Sequence, residues 1–252
     1  MTELVLSSLD AGIFSITLNR PAKRNALSEE MIDLLHRALE EADLNPDVRV
    51  VLIRGAGSDF CAGADLDELL ASADRTLMEN EESALRLGQI FQRLRVLPKA
   101  VICLVQGRAL AGGAGLATAC DLVLAGTGAQ LGYPEIQRGF VPAMVTTMLR
   151  RLVGEKTALD LILTGRVLSA EEARTAGLVS RVVADGGLEA EGLALAQRLA
   201  GSSASALALT KRLLFDLEGK SFSESIELGA RVNAIARGLP DFRVAISRFL
   251  ER

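Results

Sequence analysis

The sequence predicts an α/β fold that gives way to a helical C-terminal part. Three observations predict it. Strand-like apolar runs alternate with helical stretches through the first half of the 252-residue chain. Two of those runs are followed by turns of glycine and alanine that open a helix. From about Val141 onward the pattern is almost wholly helical.

Taken in order, residues 12–18 alternate polar and apolar side chains, as a half-exposed strand does. Asn19-Arg20-Pro21-Ala22-Lys23-Arg24-Asn25 is a polar loop kinked at proline. Ser28 then caps a helix whose first turn carries Glu29 and Glu30, the sign that the helix dipole favours. Its apolar stripe is Met31, Leu34, Leu35, Ala38, Leu39 and Ala42. Residues 48–53 form a continuous strand run ending at Gly55-Ala56-Gly57. Phe60-Cys61-Ala62-Gly63-Ala64-Asp65-Leu66 is a small-residue loop feeding a helix that Asp65 can cap, and a more polar helix follows, stopping at Pro98. Residues 100–105 are a buried strand. Residues 107–117 lead into a helix of small residues, and residues 121–125 are another strand. Further on, Ser169-Ala170-Glu171-Glu172 is a capping box whose helix ends at Gly177 before a short strand at 178–183. Helices reopen at Gly186-Gly187, after Gly201-Ser202-Ser203, and at a second capping box, Ser221-Phe222-Ser223-Glu224. The division expected is an α/β core over residues 1–200 and a helical region over 201–252.

Composition narrows the chemistry. Lys and Arg number 28 against 32 Asp and Glu, a net charge of −4, and 49% of residues are apolar. That balance opposes non-specific nucleic-acid binding, which rests on neutralising phosphates. The single histidine, His36, lies in the amphipathic helix after Ser28, so a Ser-His-Asp hydrolase or a multi-histidine metal site has no basis. Cys61, Cys103 and Cys120 are odd in number and lack paired spacing, which reads as reduced thiols. Met1-Thr2-Glu3-Leu4 opens without a basic leader pattern, and no apolar run would span a bilayer; a cytoplasmic location and no membrane contact are expected. Dinucleotide, phosphate-loop and nucleophile-elbow motifs are absent.

What remains is two small-residue turns and one glutamate. Such turns permit close packing. They also expose backbone N–H groups at a helix start, where a developing oxyanion can be held. Glu135, in Leu131-Gly132-Tyr133-Pro134-Glu135-Ile136, is either a solvated loop residue or a partly buried proton shuttle whose pKa burial would raise.

These stretches, with Asn25-Ala26-Leu27-Ser28, residues 107–121, Ala170-Glu171-Glu172-Ala173 and Gly177-Leu178-Val179, resemble the crotonase superfamily, the enoyl-CoA hydratases and isomerases. The resemblance runs along almost the whole chain. It implies a spiral of β-β-α units with a C-terminal helical region used in homotrimers or dimers of trimers. It implies an acyl-CoA substrate, with coenzyme A part of that substrate and no further cofactor or metal. The thioester oxygen would be held by the N–H groups of Ala64 and Gly112, Glu135 would be the catalytic acid/base, and Lys23, Arg24, Ala62 and Leu66 would lie along coenzyme A. The second glutamate of the hydratases falls at Gly115 and is missing. Asp67, Glu68, Glu79, Glu81 and Glu82 stand near the first turn, but a capping or solvated role suits each better. Asp121 is expected to make a structural hydrogen bond. One base suffices to move a double bond, so isomerisation is expected ahead of hydration. A one-glutamate hydratase (branched substrates included), a thioester hydrolase and a silent acyl-CoA binder are the alternatives. The acyl pocket is expected from Leu69 to Leu87 and around Ala143 to Leu149. The early chain end at Phe249-Leu250-Glu251-Arg252 puts a basic C-terminal contact to coenzyme A in doubt.

Overall fold

The computed structural model describes residues 3–251; Met1 and Thr2 of the leader reading, and the terminal Arg252, lie outside them. In chain order the elements are β1 (Val5–Asp10), β2 (Ile13–Leu18), α1 (Glu29–Leu44), β3 (Val50–Gly55), α2 (Leu66–Ala71), α3 (Leu77–Val96), β4 (Ala100–Val105), β5 (Arg108–Leu110), α4 (Gly112–Ala119), β6 (Leu122–Gly126) and β7 (Gln130–Gly132). A 3-10 turn (Pro134–Arg138) leads to α5 (Ala143–Thr164), β8 (Val167–Ser169), α6 (Ala170–Thr175), β9 (Arg181–Val183), α7 (Leu188–Ala200), α8 (Ala204–Asp216), α9 (Phe222–Arg237) and α10 (Pro240–Leu250).

The larger sheet has the order β1-β2-β3-β4-β6-β9, antiparallel at β1/β2 and parallel beyond. The smaller sheet is β5-β7-β8, and single bridges Leu27–Ala64 and Cys61–Ala109 continue it through the chain that follows β2 and β3. Each pass therefore makes a strand of the large sheet, a short extended piece of the small one and then a helix: a spiral of β-β-α units. The central strands β3, β4 and β6 are buried on both faces, which explains their continuous apolar runs. One face packs under α1, α3, α4 and α5. The other packs under α7, through Leu188, Leu195 and Ala196.

Helix starts follow local chemistry. The Ser28 hydroxyl accepts from the Met31 N–H (3.2 Å), and Asp65 accepts from the N–H groups of Asp67 and Glu68. Capping boxes stand at Ser169/Glu172 and Ser221/Glu224, and a further one, Thr76/Glu79, opens α3. Strand β1 and the three-residue strands β5, β7 and β8 were not anticipated: three residues are too few for a period to register, and β1 (VLSSLD) buries only Val5 and does not alternate. The strand read at 178–183 pairs only over β9, with Leu178 and Val179 buried before it. In β2, Ser15 and Thr17 are half-buried, because α7 covers that face.

No residue of α8, α9 or α10 is buried. Lys211 fastens α8 to the core: its Nζ donates to Asp121 (2.8 Å) and to the carbonyls of Leu94 (2.7 Å) and Lys99 (3.1 Å). Phe222, Ile226, Ile235, Val244, Phe249 and Leu250 remain exposed. Among the described residues no helix is long and apolar enough to cross a membrane.

Candidate active site

Two backbone turns meet at one cavity. The first follows β3. Asn25, fully buried with its backbone at φ 54°, donates from Nδ2 to the carbonyls of Ala56, Asp59 and Phe60 at 2.8–3.0 Å, clamping the 20–25 loop to it. The bridge to Leu27 uses the Gly63 carbonyl and the Asp65 N–H. In such a parallel bridge the intervening residue's own N–H points the other way. That residue is Ala64.

The second turn joins β5 to α4. Ala111, its N-cap, has φ 50° and ψ −124°, a region L-residues rarely adopt and one that costs about 1–3 kcal/mol. This bend leaves the Gly112 N–H as the first of α4. Among the described residues neither the Ala64 nor the Gly112 N–H donates to a protein acceptor. The turns lie against one another: a Cβ at Gly63 (φ 101°) would sit 2.9 Å from the Ala111 Cβ and 3.0 Å from the Leu110 carbonyl, so only glycine fits there.

Glu135 arrives from β7. The chain after it is pinned by Tyr133, fully buried, whose hydroxyl is 2.7 Å from the Thr118 Oγ1 of α4. The Ala111 N–H donates to the Gly132 carbonyl (2.8 Å), tying the second turn to the same strand end. Pro134 then opens the 3-10 turn that carries Glu135, and Gly139 closes it. Glu135 is 7% exposed, and its Oε2 is buried without a hydrogen-bond partner among the described residues. Burial raises its pKa above the usual carboxylate value, against the smaller opposing pulls of its own backbone N–H and the Arg138 charge. A carboxyl so placed exchanges a proton nearer neutral pH than a solvated one.

The cavity, about 100 Å³, is walled by Ala62, Ala64, Leu66, Gly112 and Glu135 together. Leu69, Leu87, Ala143, Met144 and Val145 complete it within the segments the sequence marked out. Phe91, Leu110, Ala111, Pro134, Arg138, Phe140, Val141 and Pro142 are lining residues that the sequence reading missed. Phe91 gave no separate signal, being one more member of the apolar stripe of α3 with Ile90 and Leu94.

At Gly115 the structure explains an absence. A Cβ there would fall 2.6 Å from Val145 Cγ1 and 2.8 Å from Phe91 Cζ. The space a second carboxylate would need is filled by a phenyl ring and a valine methyl. Among the described residues no other acid lines the cavity. Asp67 pairs with Lys23 (2.9 Å), Glu68 accepts from the Glu29 N–H (2.8 Å), Glu79 serves the Thr76 cap, and Glu81 and Glu82 are exposed. Asp121 accepts from the Val101 N–H (2.8 Å) and from Lys211, the structural part expected of it.

Lys23 and Arg24 stand outside the cavity wall, exposed, on the loop whose Arg24 carbonyl accepts from the Ala62 N–H (3.0 Å). The hydrogen bond and charge of Asp67 raise the Lys23 pKa. Cys61, Cys103 and Cys120 are free and buried, and His36 is half-buried on α1, with Nε2 2.9 Å from the Arg86 carbonyl. Among the described residues no three His, Cys, Asp or Glu side chains converge as metal ligands would.

The enoyl-CoA hydratase/isomerase family profile matches residues 8–252. A Thermus thermophilus protein provisionally named an enoyl-CoA hydratase is 43% identical over 237 residues, 94% of each chain. The 1,2-epoxyphenylacetyl-CoA isomerase of Escherichia coli is 32% identical, over 100% of this chain and 97% of that one. The crystal structure of an enoyl-CoA hydratase from Mycobacterium smegmatis superposes with a TM-score of 0.94 at 31% identity, covering 99% of this chain and 97% of the other. On sequence and fold alike, the chain belongs to the enoyl-CoA hydratase/isomerase family of the crotonase superfamily and is an enzyme of that family.

Proposed function

We propose that this enzyme moves the double bond of an enoyl-CoA thioester, with Glu135 as its one acid/base. The N–H groups of Ala64 and Gly112 receive the thioester oxygen. In a 3-enoyl substrate, ionised Glu135 takes a proton from C2, the charge spreads onto that oxygen as a dienolate, and the carboxyl returns the proton at C4. Each N–H aimed at the developing charge is worth about 2.7–4 kcal/mol in the transition state, and a placed general base contributes about 10²–10⁴ in rate. The observation that carries the reading is the buried Oε2 of Glu135, which among the described residues has no partner and shares its cavity with no other acid.

Hydration would ask the same carboxylate to hold and activate a water alone, beside the Phe91 ring. A one-glutamate hydratase is the second reading, favoured by the hydratase names that relatives carry, among them the 2,3-dehydroadipyl-CoA hydratase of Escherichia coli, 34% identical. For the rest of the substrate, Lys23 and Arg24 would meet the phosphates of coenzyme A, with Lys23 exchanging Asp67 for a phosphate. Ala62 and Leu66 would border its adenine. The region from residue 201 onward would join subunits through its exposed apolar side chains, as a homotrimer or a dimer of trimers. The three free thiols suit a reducing cytoplasm.

The test is a panel of 2-enoyl and 3-enoyl thioesters run in ¹⁸O-water. Double-bond migration without oxygen uptake is the expected result. A labelled 3-hydroxyacyl product would establish the hydratase, free coenzyme A a thioester hydrolase, and tight binding without turnover a silent binder.

A further inference from the structure

Behind the candidate active site lies a second and larger cavity, about 500 Å³, between α3 and α5. Phe91 and Met144 line both cavities, so the two share a wall. Part of that wall is the unbranched side chain of Met144. Met144 lies over Gly88, where a Cβ would stand 3.4 Å from its Sδ. A methyl there would stand in ordinary van der Waals contact with the thioether, whose unbranched chain adapts to irregular space.

The far end of this cavity carries two arginines and one glutamate, Glu218. Arg95 is one helical turn beyond Phe91, about 6 Å along α3, and Arg151 faces the same space from α5. Arg151 is committed: it pairs with Glu218 and donates to the Thr147 carbonyl (2.8 Å). Arg95 is not. Its guanidinium carbon lies over the Phe215 ring, 4.2 Å from the centroid, and among the described residues it forms no hydrogen bond or ion pair. Burial and the neighbouring Arg151 charge lower its pKa, against the smaller opposing pulls of Glu218 and Asp121, which are held by Arg151 and Lys211. The remaining acid on this wall, Glu81, lies fourteen residues earlier on α3, about 21 Å away along the axis. A planar fork of N–H donors, unpartnered among the described residues, at the end of a cavity that shares a wall with the site is a receptor for a carboxylate.

We propose that the second cavity takes the distal part of the acyl group and that Arg95 pairs with an anionic group at its end, so that the preferred substrates are thioesters whose acyl chains terminate in a carboxylate. This rests on the first cavity being the thioester site, and the test separates the two. Enoyl thioesters of increasing length, each made with a methyl and with a carboxylate terminus, are compared by kcat/KM. Beyond the length that reaches Arg95, the carboxylate form should be preferred, the difference lying in KM. In Arg95→Met the carboxylate-to-methyl ratio should fall about tenfold, the scale of one charge-assisted hydrogen bond, and Arg95→Lys should restore part of it.

If no thioester of either kind is turned over, the reading of the first cavity fails and this proposal with it. If methyl-ended thioesters are turned over and the ratio is the same in the parent and in Arg95→Met, the distal anion site is wrong while the first cavity stands. Should Arg95→Met not fold, the parent decides: a preference for the methyl terminus at every length overturns the proposal, and a carboxylate preference lost in Arg95→Gln upholds it.

Discussion

Placing a glutamate at Gly115 asks directly whether this site has the room for a second carboxylate. The added Cβ would overlap Val145 Cγ1 at 2.6 Å and Phe91 Cζ at 2.8 Å, with Phe91 Cε2 at 3.2 Å. Both neighbours are buried, and Val145 is branched at Cβ and held on α5. Overpacking of this kind costs about 1–3 kcal/mol, and a buried carboxylate without a partner adds about 1–3 kcal/mol more. Replacing a helix-interior glycine returns only about 1 kcal/mol. Gly115→Glu should therefore lose roughly 1–5 kcal/mol, and at about 2–4 °C per kcal/mol its melting temperature should fall by several degrees. It should acquire no hydration activity. Gly115→Ala isolates the overlap and should fall within about 2 kcal/mol of the parent. Removing the ring as well, in Gly115→Glu with Phe91→Ala, should give more 3-hydroxyacyl product than Phe91→Ala alone. Thermal unfolding by circular dichroism and product analysis read both effects. A Gly115→Glu protein as stable as the parent and newly able to hydrate would refute the reasoning.

Three further outcomes follow from the geometry. Because burial raises the folded-state pKa of Glu135, its contribution to stability is undiminished below the unfolded carboxyl pKa of about 4.3 and declines as pH rises from there through the folded value. Glu135→Gln should thus be about 1 kcal/mol more stable than the parent at neutral pH, with no such gain below about pH 4, as urea unfolding at both pH values would report. Ala111→Gly relieves a backbone at φ 50°, ψ −124° and should raise stability by about 1 kcal/mol after the entropy of glycine is set against the strain, read from the urea midpoint. Lys211→Met strands Asp121 and the two carbonyls it serves; a loss of about 3 kcal/mol, with α8 exchanging its amide hydrogens faster, is the expected result.

Much of the fold was legible because its signals are local. The continuous apolar runs at β3 and β4 mark doubly covered strands, and Ser28, Asp65, Ser169 and Ser221 announce helices by chemistry that acts within one turn. Strands β5, β7 and β8 were silent, since their order comes from pairing with distant partners. The candidate site was legible as far as its gathering into one cavity goes, where backbone had to bend, at Ala64 and Gly112, and where a carboxyl stood among apolar residues, at Glu135. Its walls were less so. Phe91 and Val145 look like any core residues, and only the structure brings them together against Gly115. Arg95 reads in sequence as a surface charge at a helix end; its free guanidinium over Phe215 is a fact of packing.

The central claim is that one carboxylate moves a proton beside a carbonyl gripped by two amides, and it is tested most directly by α-carbon exchange. A saturated acyl-CoA incubated with the enzyme in deuterium oxide should gain deuterium next to the thioester, followed by NMR. In Glu135→Gln this exchange should fall by at least about 10²-fold with binding of the acyl-CoA unchanged; exchange at the parent's rate in that variant would contradict the account.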